Sequence, residues 1–166
     1  RAVTARRRVC SARRCAALAR WRVLSALIGV LGLVERGDDR LEDKIAYKSQ
    51  DLLDYAPVAR HNLPEGAMSV SDMCKAMVEL SDNTCANLLL ARSGGPEALT
   101  AFWRASGDTA SRLDHYEPEL NRSPPGDPHD TTTPAAMAGN LRRFLLGDVL
   151  SSGSREHLTG WMVGCK

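Results

Sequence analysis

Three consecutive polar residues, Ser81, Asp82 and Asn83, interrupt two apolar segments whose spacing is helical. A soluble core does not normally accept a hydroxyl, a carboxylate and an amide in a row. Packed helices on either side would hold these side chains in fixed positions, which is what catalysis requires. Ser81 and Asn83 are therefore candidate site residues. The structural alternative is that Ser81 or Asp82 simply caps the second helix.

A second candidate lies in the proline-rich segment from Asp108 to Pro134, which has little apolar content. Connections of this length are usually functional or disordered. Glu117 precedes a proline, which favours extended or turn geometry, and Asn121 is close enough in sequence to share one pocket with it. A carboxylate beside an amide can hold and deprotonate a water, which is general-base chemistry. The alternative is a solvated acidic turn.

Together the two motifs resemble those of the class A serine β-lactamases, which carry Ser-Asp-Asn and, later, Glu-x-x-Leu-Asn on a loop beside the active site. The resemblance is nearly continuous from Glu35 to Lys166. It is carried by Ser81–Asn83, by Glu117–Asn121 and by the segments 51–58, 83–90 and 130–138.

The resemblance implies a role for each candidate residue in β-lactam hydrolysis through a serine acyl-enzyme. Ser81 would relay a proton toward the leaving nitrogen, and Asn83 would hydrogen-bond the acylamide side chain of the substrate. Glu117, with Asn121 fixing a water, would deprotonate that water to hydrolyse the acyl-enzyme; a part for the glutamate in acylation is disputed. Tyr55 would lie on the rim of the substrate cleft, although an ordinary surface tyrosine is an equally good interpretation.

Two motifs of the resemblance are missing. The nucleophile motif Ser-x-x-Lys occurs nowhere in the chain, and the residues at its counted position are Arg20-Trp21-Arg22-Val23. The nearest imitation, Cys10-Ser11-Ala12-Arg13-Arg14, is displaced by nine residues and carries a guanidinium that cannot serve as the deprotonated base a lysine can. Lys166 follows the last predicted helix too directly to belong to the later Lys-Thr/Ser-Gly strand. We therefore expect an incomplete or inactive form of a β-lactam hydrolase. The alternatives are a non-catalytic truncated relative or a penicillin-binding transpeptidase, which would not need a hydrolytic glutamate.

His115 is a further departure. The resemblance implies an arginine at this position, whose ion pair with Asp130 closes the base of the loop. Histidine has an ordinary pKa of about 6.5, so a His115–Asp130 pair would make closure depend on pH. Arg112 or Arg122 would be the alternative partners of Asp130.

The remaining pattern predicts the helices that position these residues. The fold class we predict is mainly α, the helical lobe of the α+β serine β-lactamase/penicillin-binding-protein fold, with most of the β-sheet lobe missing. The segment from Gly37 to Ala67 reads as polar and irregular. Predicted helices are a wide apolar one over Val23–Arg36, one from a capping box at Ser69 to Leu80, one over 83–91, one from Pro96 to Gly107, one from Pro134 to Gly147, and a last one capped by Ser154 that runs through Met162.

The chain has 166 residues, 43% of them hydrophobic and 25% charged, which fits one globular domain. Residues 1–22 hold eight arginines and no acid, leaving 14 basic and 20 acidic residues in the rest. We expect an atypical basic head over 1–22, foreign to the family, and a helical domain over 23–166. A nucleic-acid or lipid-binding arm, and a secretory signal with its apolar core at Leu24–Val34, are the alternatives. That apolar run is too short to span a membrane, and no cleavage site follows it.

Five cysteines show no metal-binding spacing, so we expect neither a metal site nor a cofactor. Cys74 is expected to be a buried free thiol. The resemblance further implies a periplasmic or secreted monomer that binds a β-lactam, with no nucleic-acid partner and no stable membrane anchor.

Overall fold

The first described helix, α1 (27–36), is buried along residues 27–32 and ends before Gly37, as its wide apolar face predicts. The computed structural model describes residues 27–122 and 124–165, so the predicted start of this helix at 23–26 lies outside the described residues. Two glycines let a neighbouring helix approach α1 closely. A Cβ at Gly29 would lie 2.8 Å from Leu99 Cδ1, and one at Gly32 would lie 2.8 Å from the Phe102 ring.

The segment after α1 is more ordered than its polar sequence predicts. It forms the short strands β1 (Lys44–Ala46) and β2 (Ala67–Ser69), which pair antiparallel with Ile45 opposite Met68. Between the strands lie helix α2 (Pro57–His61) and 3₁₀ turns at Ser49–Asp51 and Leu63–Glu65. The strands were missed because each has only three residues, too few for an alternating pattern to be recognised.

Five longer helices follow: α3 (Val70–Leu80), α4 (Asn83–Arg92), α5 (Gly95–Ala105), α6 (Pro134–Leu146) and α7 (Ser152–Val163). Ser69 caps α3 by accepting a hydrogen bond from the backbone N–H of Asp72, as the sequence predicts. The predicted cap of α7 was wrong. Ser151, not Ser154, caps this helix, and Ser154 donates the N–H that Ser151 accepts.

The core lies among α1, α3, α4, α5, α6 and α7. Trp103, Phe144, Met73, Met77 and Leu89 are among its largest fully buried side chains. In the described part of the loop between α5 and α6, residues 108–122 and 124–133, the single regular element is a 3₁₀ turn at Glu119–Asn121. Within the described ranges, no helix combines the length and the apolar character that crossing a membrane requires.

Candidate functional site

The polar triplet forms the turn between α3 and α4. Ser81 adopts a left-handed backbone conformation (φ 56°, ψ 40°), which few residues other than glycine occupy, and its N–H donates to Ala76 O. This conformation ends α3 and lets α4 start two residues later. Asp82 is fully buried and caps α4 by accepting from Cys85 N. The capping alternative is therefore right for Asp82, while Ser81 and Asn83 remain half-buried at the surface of the turn.

Asp82 also binds the segment that carries Tyr55. Its Oδ2 accepts hydrogen bonds from Val58 N at 2.9 Å and Ala59 N at 3.0 Å, N–H groups in the first turn of α2, where a helix offers no backbone acceptor. The backbone N–H of Asn83 donates to Tyr55 O at 3.0 Å, so Tyr55 lies beside the triplet. Tyr55 is 56% exposed.

Glu117 and Asn121 are brought together as the sequence predicts. Asn121 Nδ2 donates to Glu117 Oε2 at 2.5 Å, across the 3₁₀ turn. The glutamate is 8% exposed although it lies in a surface loop, and its peptide bond to Pro118 is cis. A buried carboxylate is costly unless it is hydrogen-bonded, and the hydrogen bond from Asn121 meets this requirement.

Asn87 connects the two parts of the site, and the sequence interpretation assigned it no role. Its side chain donates to Glu117 O at 2.9 Å and accepts from Glu117 N at 2.9 Å, so it holds both backbone polar groups of the glutamate. Asn87 lies one helical turn after Asn83 on α4, on the same face. An amide inside the otherwise apolar run from Cys85 to Leu90 was the signal that could have identified it.

The ends of the loop pair with each other at its neck, which we define as residues 111–115 and 130–132. Arg112 N donates to Thr131 O at 2.9 Å, and the hydroxyls of Ser111 and Thr132 are 2.6 Å apart. His115 Nδ1 lies 2.6 Å from Asp130 Oδ2, which confirms the predicted pair. Arg112 instead binds Asp114, and its hydrogen bond lowers the pKa of that carboxyl group.

Cys74 is a buried free thiol, as predicted, and Cys85 is buried as well. Burial raises the pKa of both thiols, so neither is a ready nucleophile. Among residues 27–122 and 124–165, no three or more His, Cys, Asp and Glu side chains are grouped so as to hold a metal ion. Ser11, residues 20–23 and the whole predicted head lie outside the described residues.

The arrangement can activate a water molecule. Glu117 offers a carboxylate whose backbone is fixed by Asn87 and whose side chain is oriented by Asn121. Ser81 and Asn83 offer a hydroxyl and an amide at the turn before α4 and at its first residue. A carboxylate held beside an amide is suited to general-base chemistry.

Comparison with known protein families identifies one match over most of the chain. The model of the beta-lactamase enzyme family matches residues 24–164. The matched range includes the triplet, the loop and every described helix.

Solved structures of class A β-lactamases are similar in both sequence and fold. An ancestral class A β-lactamase (GNCA) is 52% identical, with a TM-score of 0.84 over 88% of this chain and 55% of that one. The last common ancestor of Gram-negative bacteria (GNCA4) class A β-lactamase is 51% identical, with a TM-score of 0.82 over 87% of this chain and 54% of that one. L2, in a crystal structure complexed with relebactam, is 46% identical, with a TM-score of 0.84 over 89% and 54%. The chain spans about half the length of the solved structures it matches.

Proposed function

Because the chain belongs to the beta-lactamase enzyme family, we propose that its function is β-lactam hydrolysis through a serine acyl-enzyme, and that residues 23–166 supply the step that hydrolyses this intermediate. One observation carries the proposal. Glu117 is a buried carboxylate that Asn121 orients and whose backbone Asn87 fixes on both sides. A transpeptidase has no need of such a base, because its acyl-enzyme passes to an amine.

Each site residue takes a defined part in this scheme. Glu117 removes a proton from a water that Asn121 holds, and the resulting hydroxide attacks the acyl-enzyme carbonyl. The ester bond to the serine then breaks, and the serine oxygen takes up the proton that Glu117 had accepted. Ser81 passes a proton to the nitrogen that leaves when the lactam ring opens. Asn83 and Tyr55 contact the substrate, the first through its amide and the second at the rim. The backbone hydrogen bond from Asn83 N to Tyr55 O supports this, because it holds the two residues next to each other.

We propose that the active enzyme to which this domain contributes acts on the β-lactam as a monomer in the periplasm or outside the cell, and that no nucleic acid takes part. We further propose that residues 1–22 are not part of the functional domain. The acylating serine and its lysine are not supplied by a Ser-x-x-Lys motif in these residues. We therefore propose that the 166 residues by themselves carry out no turnover.

The test joins residues 24–164 to the flanking segments of the ancestral class A β-lactamase, which is 52% identical to this chain. The chimera should hydrolyse nitrocefin. Glu117→Gln removes the base but keeps the shape, so deacylation should slow by about 10²- to 10⁴-fold. Intact-protein mass spectrometry should then detect an accumulating adduct that carries the ring-opened substrate.

Glu119→Gln is the matched control, because Glu119 lies on the same loop with its side chain 55% exposed. This variant should hydrolyse nitrocefin at the unaltered rate and accumulate no adduct. A Glu117→Gln chimera that turns over as fast as the Glu119→Gln chimera would exclude Glu117 as the base and would contradict the proposed function.

A further inference from the structure

Two histidine–carboxylate pairs lie together where the loop begins and ends. His115 Nδ1 is 2.6 Å from Asp130 Oδ2, and His129 Nδ1 is 2.6 Å from Asp127 Oδ1. The two imidazole rings meet edge to face, with centroids 5.7 Å apart. Both histidine side chains are about half exposed, at 48% and 47%, so protons reach them freely.

Asp130 is buried, and hydrogen bonds that involve the backbone hold it in place. Its side chain is 1% exposed, and its backbone is left-handed with φ 52°. Oδ1 accepts from Asp114 N at 2.7 Å and from His115 N at 3.1 Å, while Asp130 N donates to Asp114 Oδ2 at 2.8 Å. These backbone bonds do not depend on the protonation of histidine. The His115 ring supplies the contact to Oδ2, and its strength does depend on whether the ring is charged.

We propose that His115 is a proton-dependent positioning residue, whose imidazolium on Asp130 closes the neck of the loop and whose deprotonation loosens the loop that carries Glu117. Glu117 is two residues after His115, so movement of the neck is transmitted to it directly. The consequence for catalysis rests on the proposed role of Glu117, whereas the loosening itself does not.

The charges around the His115 ring determine how the stability of the loop changes with pH. The hydrogen bond to Asp130 raises the pKa of His115 above its ordinary value, and the nearby carboxylates of Asp114 and Asp127 add to this. His129 faces the ring from the other end of the loop, and Arg112 forms an ion pair with Asp114, one of these carboxylates. A raised folded-state pKa means that the stabilisation is complete below about pH 6.5 and is lost as pH rises through the folded value.

Limited proteolysis by chymotrypsin after Tyr116 and Leu120 measures opening of the loop in this chain, without any substrate. Dividing each rate by that of a synthetic peptide covering residues 108–133 of the same variant removes the pH dependence of the protease itself. From about pH 6 to about pH 9, normalised cleavage of the unmutated protein should rise about two- to fivefold, the range expected for an exposed ion pair.

Two substitutions of His115 represent the permanently charged and the neutral state of its side chain. His115→Arg keeps a positive charge at every pH, so its normalised cleavage should stay low and flat. His115→Asn places a neutral donor where Nδ1 lies, so its cleavage should be flat at the alkaline level of the unmutated protein. Far-UV circular dichroism confirms that all three chains are folded.

His129→Gln separates the second pair from the first. It should leave the rise in cleavage intact, since Asp130 keeps its His115 partner. A rise that persists in His115→Arg, or that disappears in His129→Gln, would overturn the proposal. Because the readout needs no β-lactam, a failure here leaves the proposed function untouched, and failure of the chimera leaves the neck mechanism untouched.

Discussion

Asn87 positions Glu117 through the glutamate backbone, which leaves the carboxylate itself available for chemistry. The amide is suited to this task because it offers one donor and one acceptor, and the peptide groups on either side of the Glu117 Cα need one of each. Both bonds are 2.9 Å long. The loop is therefore attached to α4 at the residue whose position matters most.

We expect Asn87→Ala to lower the free energy of unfolding by about 1–3 kcal/mol, because the backbone N–H and C=O of Glu117 lose their hydrogen-bond partner. Cleavage of the loop at Leu120 should rise as well. Urea unfolding followed by circular dichroism measures the first effect, and limited proteolysis measures the second.

Asn62→Ala is the control, because Asn62 is also a half-buried asparagine but lies outside the loop. Its Nδ2 donates to Val58 O within α2. It should leave loop cleavage unchanged. Equal loop cleavage in the two variants would show that Asn87 does not hold the loop.

At the scale of secondary structure, Asp82 joins two helices. The start of α2 has no side-chain cap of its own, because Ala56 occupies the capping position. Asp82 supplies this cap from another part of the chain, at the same time as it caps α4 through Cys85 N. One buried carboxylate thus fixes the relative placement of α2, α4 and, through them, Tyr55 and Asn83.

Asp82→Ala is expected to cost about 2–4 kcal/mol of stability, roughly the sum of two helix caps made by a charged acceptor. Thr133→Ala removes a single cap, that of α6, and should cost about 1 kcal/mol. Equilibrium urea unfolding of both variants measures the difference. A cost for Asp82→Ala no greater than that for Thr133→Ala would mean that the second cap contributes nothing.

At the scale of the whole chain, local sequence patterns predicted the long helices, whereas contacts between segments distant in sequence could not be predicted. Apolar spacing and capping residues predicted the helices, because both signals depend on residues within about four positions of each other. The predicted cap at Ser154 was wrong by three residues because Ser151, Ser152 and Ser154 are chemically equivalent in sequence, and only the backbone path distinguishes them.

The Glu117–Asn121 pair was predictable because the two residues are close along the chain. The roles of Asn87 and of Asp82 at α2 depend on segments about 30 and 24 residues apart, which a single sequence does not reveal.

A protein of these 166 residues should hydrolyse nitrocefin no faster than background, because Ser-x-x-Lys is absent from the sequence. Losing the nucleophile of a serine hydrolase lowers the rate by about 10⁶-fold, even when the rest of the site is intact. The measurement is nitrocefin absorbance with purified protein whose mass has been verified, with the chimera carrying residues 24–164 as the positive control. Turnover above background that is abolished by Ser11→Ala would contradict the prediction, and would identify Ser11 as a displaced nucleophile supplied by the basic head.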